Sequence, residues 1–587
     1  MYKSIIGIIA LSALITVFVA CGETITETIV VEKEVIKEVP VEKIVEREVI
    51  KEIEVEKVVT KDVVRTVIVE KVSVATPTPP PAGSPEFGGT LKVVSQASIK
   101  NLDIHGNASY VTIAIALHIF ESPFGWDANV EVHPRVVDSW EVSSDNKTYT
   151  FKLRDGNQFH DGSDFTSKDV IASIKRTGDA FSPAMSFMTK TYTTDDWLTE
   201  IDDSTFTINL NQPYGEVINT LAYPFGSGYV MPSEIAATPG NEFIESDDEY
   251  IGSGPYKFSE WAPGHKITLE RFAAYKPRSE AGSFVTGASI AYISKIEWLE
   301  VPDEETKIAG LETGEWDVVD GAAFDFYKRL KANPEMVVPL YKPGHRSELG
   351  INNLQYPFDS SESGKLARLA AAAAIDVDVV MAALGDSDLW LVCPALFFCG
   401  TPLESFEGAE GYDIGDPVRA AELLKESGYD GSPITILNPT DYGTITPLGH
   451  AIKPYLEQAG FNVEMPALDW SSIVPRLGKK DGFNMYTTWG VHWGFNANPV
   501  TWNRLAVSAN RPNATTNPRM PELVREFAEA LDPAAKMKVI DELQREWYSN
   551  PPSVFLGQWF SIYPHRSWLK NFDFAHIPMY FNTYLDR

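Results

Sequence analysis

Cationic side chains are scarce in this 587-residue chain: 50 Lys and Arg stand against 81 Asp and Glu, a formal net charge of −31. Nucleic acid and anionic membrane surfaces both need basic patches, so this balance argues against either as a partner. Cysteine is rarer, with Cys21, Cys393 and Cys399 the whole supply. Two thiols beyond the N-terminal region cannot complete a tetrahedral zinc shell by themselves. There is no His-Glu-x-x-His, no G-x-S-x-G, no G-x-x-x-x-G-K-[ST] and no run of closely spaced histidines. No catalytic constellation and no cofactor motif stands out. Acid pairs such as Asp195-Asp196 and Asp247-Asp248 sit in polar surroundings and read as solvated rather than as a general acid/base pair.

What is present is aromatic and long. The chain carries 14 Trp, 30 Phe and 23 Tyr, and its length exceeds what one core can organise, so two or more domains are expected. After Lys3, an apolar run from Ile5 to Ala20 spans about 16 residues, short of the roughly 20 that a spanning helix needs. It has the layout of a signal-peptide core, over residues 1–20. From Val30 to Lys71 a tandem repeat of period 14 follows, in the units VVEKEVIKEVPVEK, IVEREVIKEIEVEK and VVTKDVVRTVIVEK. Its apolar residues are β-branched, hold no steady heptad and are interrupted by Pro40, so a helical and a β stalk both stay open. Ala75–Pro85 is proline-rich and extended. Residues 21–87 are therefore a tether.

The folded body is organised around Asp138–Arg176. Trp140 and Val142, then Tyr149, Phe151 and Leu153, alternate with polar residues across Ser-Ser-Asp-Asn-Lys, which predicts a β-hairpin. Thr166 and Asp169 have the spacing of a helix capping box, and the helix should run to Gly178.

The order of these residues resembles the signature of the peptide/nickel solute-binding proteins, family 5, the extracytoplasmic receptors of ABC importers. That pattern reads about S-W-E-x-S-x-D-x-x-T-Y-T-F-x-L-R-x-G-x-x-F-H-D-G, and this chain follows it almost throughout. Further on, Gly252-Ser-Gly-Pro-Tyr-Lys-Phe258 with Trp261 is similar to the family's G-T-G-P-Y-x-F…W hairpin. Asn352-Asn353, Pro357-Phe358 and the Ala-rich run to Ile375-Asp376 resemble its passage into a second lobe. Phe18-Val19-Ala20-Cys21 resembles a bacterial lipobox, which implies a diacylglyceryl group on Cys21.

The resemblance implies an α/β, two-lobed periplasmic-binding-protein-like fold of class II, with a hinge and an inserted smaller β-rich subdomain. Residues alone support two α/β units. Lys295–Val301, a helix from Asp303 to Thr313 and Trp316–Val319 form one; Ile434–Leu437, Leu448–Gln458 and Asn462–Leu468 form the other. The expected division is 88–126 and 249–347 for lobe I, 127–248 for the insert, 348–552 for lobe II and 553–587 for a return to lobe I.

Cys393 and Cys399, outside the cytoplasm and without histidines around them, suit a disulfide, with a metal site as the rival. The richest ligand-binding stretch is Asn484–Asn496, from which Tyr486, Trp489, His492, Trp493, Phe495 and Asn496 are the candidates. Strand-like alternation puts Met485, Thr487 and Trp489 on one face, followed by aromatics among glycines. Such residues suit a pocket that stacks on a solute and equally suit ordinary packing. Oligopeptide-binding members place an acid shortly after this Trp to hold a peptide's amino terminus, whereas Gly490-Val-His-Trp-Gly offers none. The resemblance implies capture of a small, peptide-like solute for a membrane permease and its ATPase subunits, with no chemical step. A sensor on the same fold and an extracytoplasmic hydrolase are the alternatives.

Overall fold

The computed structural model describes residues 85–587, except 107–108, 181, 245, 495–496, 506–511 and 573, together with three N-terminal strands. The strands Thr28–Val30, Glu54–Thr60 and Val63–Ile68 pair in that order as an antiparallel sheet, within a unit separate from Pro85–Arg587. The expected signal segment, Cys21 and most of the repeat lie outside the described residues. Among the described residues no helix is long and apolar enough to cross a membrane.

Local signals translate directly into elements in the larger unit. The alternating stretch forms strands Val137–Val142 and Thr148–Leu153, paired antiparallel with Trp140 opposite Phe151. Asn146 turns the chain at φ 57°, a conformation that Asn tolerates better than most residues. Helix Ser167–Asp179 opens with the capping box: the Thr166 amide donates to the Asp169 carboxylate at 2.9 Å. It runs one residue past Gly178, because that glycine is helical and the chain turns extended only at Ala180. Asp303 caps helix Glu304–Thr313, and Gly314 ends it in the left-handed conformation that glycine adopts without a Cβ clash.

Two seven-stranded sheets carry the two lobes. In the first, Lys295–Leu299 and Val318–Val319 run parallel to Thr90–Val94, which lies between them. The predicted strand–helix–strand unit is thus parallel but not adjacent, since the first strand of the body takes the middle place. In the second, Met485–Val491, Ile434–Pro439 and Val463–Glu464 run parallel, and His345–Ile351 and Ser553–Trp559 add on antiparallel. A four-stranded antiparallel sheet of Val137–Val142, Thr148–Leu153, Thr205–Leu210 and Thr193–Asp202 stands apart from both.

The crossings between lobes correct two expected boundaries. Strand His345–Ile351 belongs whole to the second sheet, and so does Ser553–Trp559, which pairs with it; the return to the first sheet comes after Trp559, not at 553. Pro551-Pro552 looks like a boundary in sequence, but the strand that follows is buried on both faces and completes the second sheet. The two crossing segments run side by side. Tyr341 N–H donates to the Ser561 carbonyl at 2.9 Å, and Leu340 bridges Ile562. Helices Arg519–Glu529 and Pro533–Ser549, expected in lobe II, dock on the insert through Gly215 N–H to the Ala528 carbonyl and through Lys536 to Glu216.

Candidate functional site

Strand Met485–Val491 delivers the candidate residues to the carboxyl edge of the second sheet, the edge at which open α/β sheets receive ligands. Its register with His345–Ile351 sets Met485, Thr487 and Trp489 opposite Ile351, Leu349 and Ser347, on one face. Trp489 is half-buried near the end of the strand. Its ring lies 5.1 Å from that of His345 and 6.1 Å from that of Trp559, while His345 stacks on Trp559 at 4.1 Å. Burial pushes the His345 imidazole down to about 3, so it stays neutral and serves as an aromatic surface.

Tyr486 takes the other face. It is buried with Leu437, Ile473 and Phe483. A Cβ on Gly350 would meet its ring at 2.5 Å, which is why a glycine stands opposite it. Tyr486 packs there in the core of the second lobe.

His492 and Trp493 follow the strand and meet the first lobe. Tyr341 Oη lies 3.1 Å from His492 Nδ1, His492 Nε2 lies 2.8 Å from His576 Nδ1, and His576 Nε2 lies 2.8 Å from the Asp127 carbonyl. The carbonyl can only accept, which fixes every proton in the row. His576 donates from Nε2 and accepts at Nδ1; His492 donates from Nε2 and accepts the tyrosine hydroxyl at Nδ1. Desolvation, with His576 and His345 nearby, holds the His492 pKa well below the ordinary imidazole value. Trp493 is buried, with its ring 6.0 Å from that of Tyr110. Phe495 and Asn496 lie outside the described residues.

A cavity of about 440 Å³ lies beside this row, with Asn129, Lys342, Cys399, Gln558, Phe560 and His576 in its wall. Cys393 and Cys399 form a disulfide, and the Cys399 amide donates to Gln558 Oε1 at 2.7 Å. A more polar cavity of about 330 Å³, lined by Arg154, Asp155, Arg278 and Glu280 among others, includes none of the aromatic candidates.

Sequence reasoning missed three groups. On the face opposite Trp489, Arg346 and Arg504 both bind Glu348, and the Arg346 guanidinium lies 3.9 Å over the Phe555 ring. Burial lowers Arg346 to about 9. His345 and Trp559 complete the wall around Trp489 from strands nearly 150 and 70 residues away in sequence. Asp320 lies at the edge of the first sheet, bound by Tyr110 at 3.0 Å; an acid directly after a predicted strand was the available signal. His160, by contrast, sits in the Phe-His-Asp-Gly turn, with Nε2 3.0 Å from the Gly254 carbonyl. Asp127, Glu131 and His133 bring three metal-capable atoms within 4.8 Å of one another, but Asp127 Oδ1 already accepts the amides of Asn129 and Glu131.

Two α/β lobes joined by paired crossings and meeting over an aromatic cleft define a two-lobed solute-binding protein. The family model of the bacterial extracellular solute-binding proteins, family 5, matches residues 131–512, and the chain belongs to that family. It is 30% identical over 459 residues to the Sinorhizobium fredii protein called "Probable peptide ABC transporter periplasmic-binding protein y4tO", across 76% of this chain and 83% of that one. The glutathione-binding protein GsiB of Pectobacterium atrosepticum is 26% identical over 495 residues, across 81% of this chain and 90% of that one. A dipeptide-binding protein from Pseudoalteromonas, solved with Met-Leu, superposes with a TM-score of 0.71 at 18% identity, covering 85% of this chain and all of its own. The expected family and two-lobed architecture are confirmed.

Proposed function

We propose that this protein is the solute-capturing component of an ABC importer and that its solute is a peptide or peptide-like molecule. The observation that carries the reading is the aromatic wall of Trp489, His345 and Trp559 at the carboxyl edge of one lobe, near the two chain crossings that join it to the other. Relatives named for peptide and glutathione binding support it. Closure follows from differential affinity: a solute touching both lobes binds the closed form more tightly and shifts the population towards it. The closed form then docks on a permease with its ATPase subunits. Trp489 stacks on the solute, Trp493 and His492 close the first lobe against it, and Phe495 and Asn496 are further candidates by sequence. Tyr486 packs behind them in the core of the second lobe. Nothing in this scheme requires a chemical step. Cleavage before Cys21 and lipidation there would tether the protein outside the cytoplasm, with residues 21–87 as the spacer.

A thermal-shift and calorimetric screen of protein stripped of carried ligand tests the reading, with Met-Leu and glutathione as the first probes. A solute at 100 times its dissociation constant adds about 2.7 kcal/mol of stability. The Trp489→Ala variant should lower its unliganded midpoint modestly through lost packing and lose tenfold or more in affinity, about 1.4 kcal/mol. Hydrolysis of the bound probe, or unchanged affinity in Trp489→Ala, would overturn the assignment.

A further inference from the structure

We propose that Asp127, Glu131 and His133 bind a divalent transition-metal ion of the zinc class, on the hairpin at which the lobe-spanning row of hydrogen bonds ends.

Strands Phe124–Trp126 and Val132–Pro134 pair antiparallel, with Gly125 opposite His133 and Trp126 opposite Val132. The Asp127 amide donates to the Glu131 carbonyl at 2.9 Å, which carries the ladder one step further. Side chains alternate between faces along a strand, so Asp127, Glu131 and His133 share one face. One ligand atom from each lies within 4.8 Å of the other two.

Two features separate this group from an ordinary acidic turn. The first is how Asp127 is held. It is 8% exposed, and its Oδ1 accepts the amides of Asn129 and Glu131, both at 2.8 Å. These bonds fix the carboxylate and leave Oδ2 towards His133, as outer-shell donors orient ligands in metal sites. The second is spacing. Asp127 Oδ2 lies 3.6 Å from His133 Nε2, too far for a hydrogen bond. Two tetrahedrally arranged ligands, each about 2.1 Å from a shared ion, are about 3.4 Å apart. The observed spacing is close to that of ligands.

Charge points the same way. Among the described residues no Lys or Arg pairs with Asp127 or Glu131; Arg135, two residues beyond His133, turns to Glu121 at 3.8 Å. A divalent cation would offset the two carboxylates. The imidazole favours zinc-class ions over Mg²⁺ and Ca²⁺, which take oxygen ligands. Glu131 and His133 are exposed, so water fills the remaining positions. The turn between the ligands also bears on the lobe contact. Ala128, Asn129 and Val130 line the 440 Å³ cavity, and the Asp127 carbonyl accepts His576 at the end of the row through His492 to Tyr341. An ion that ties the two strands together stiffens the hairpin where that row is anchored.

The experiment is isothermal titration of ZnCl₂ into the full chain, free of any affinity tag and stripped with chelator, beside His133→Ala and Glu131→Gln. Both substitutions fall at exposed positions, so the variants should fold. The expected result is a single ion per wild-type chain, with affinity weakened about tenfold or more by either substitution. Zinc should raise the unfolding midpoint by about a degree or more in the wild type and leave His133→Ala unmoved. Equal binding to wild type and His133→Ala would put the zinc elsewhere and overturn the site. So would the absence of binding at millimolar zinc. Calcium bound as tightly as zinc, and unaffected by His133→Ala, would reduce the group to an acidic patch and overturn the proposal as well.

Discussion

The row of hydrogen bonds from Tyr341 through His492 and His576 to the Asp127 carbonyl makes the lobe contact sensitive to acid. The row is buried, so an added proton would place a charge on a desolvated imidazole. The folded state accordingly resists protonation of His492, whose pKa lies well below the ordinary value, whereas the unfolded chain protonates at about 6.5. The stability tied to this depressed pKa is complete above that pH and falls as the pH drops, because the unfolded state binds more protons. From His492 alone the loss is on the order of 1 kcal/mol for the first pH unit below about 6.5. His105, His118 and His345, each lowered to about 3, and His160, lowered to about 4, push the same way. The assay is urea unfolding of wild type and His492→Gln between pH 8 and pH 5. The variant should be less stable at pH 8, and its deficit should shrink by on the order of 1 kcal/mol at pH 5.5. Curves that stay parallel would show that His492 is not held neutral by the fold and would refute the assignment of tautomers.

Two other perturbations probe the scaffold. The buried, bidentate pair of Arg176 with Asp103, at 2.8 and 2.7 Å, ties the insert's helix to the start of the body, and Asp103 also accepts the Ile244 amide. Asp103→Ala should cost about 3–5 kcal/mol by stranding a buried guanidinium. Adding Arg176→Met should recover part of that loss in urea unfolding; strict additivity would argue against the pair. Replacing Cys393 and Cys399 together by alanine opens a short loop and should cost about 2 kcal/mol, read as a lower midpoint that reducing agent no longer changes. A loss above about 5 kcal/mol would mean the bridge does more than close a loop.

The sequence determined the elements whose causes lie within a few residues. Alternation at Trp140–Leu153 made the hairpin, Thr166 with Asp169 and Asp303 with Gly314 bounded helices, and Cys393 could reach Cys399 because only five residues separate them. These signals are local: side-chain period, caps and chain reach act without reference to the rest of the molecule. The tertiary structure alone decided which distant strands became neighbours. His345–Ile351 and Ser553–Trp559 pair across about 200 residues, and that pairing moved the lobe boundary and brought His345 and Trp559 to Trp489. It also divided one candidate strand, turning Tyr486 into the core and leaving Trp489 half-buried on the other face. Asp320 with Tyr110 and Tyr563, and His492 with His576, gained their meaning the same way. Each such contact joins residues whose spacing along the chain carries no period. Its strength comes from burial and charge that exist only once both lobes have packed.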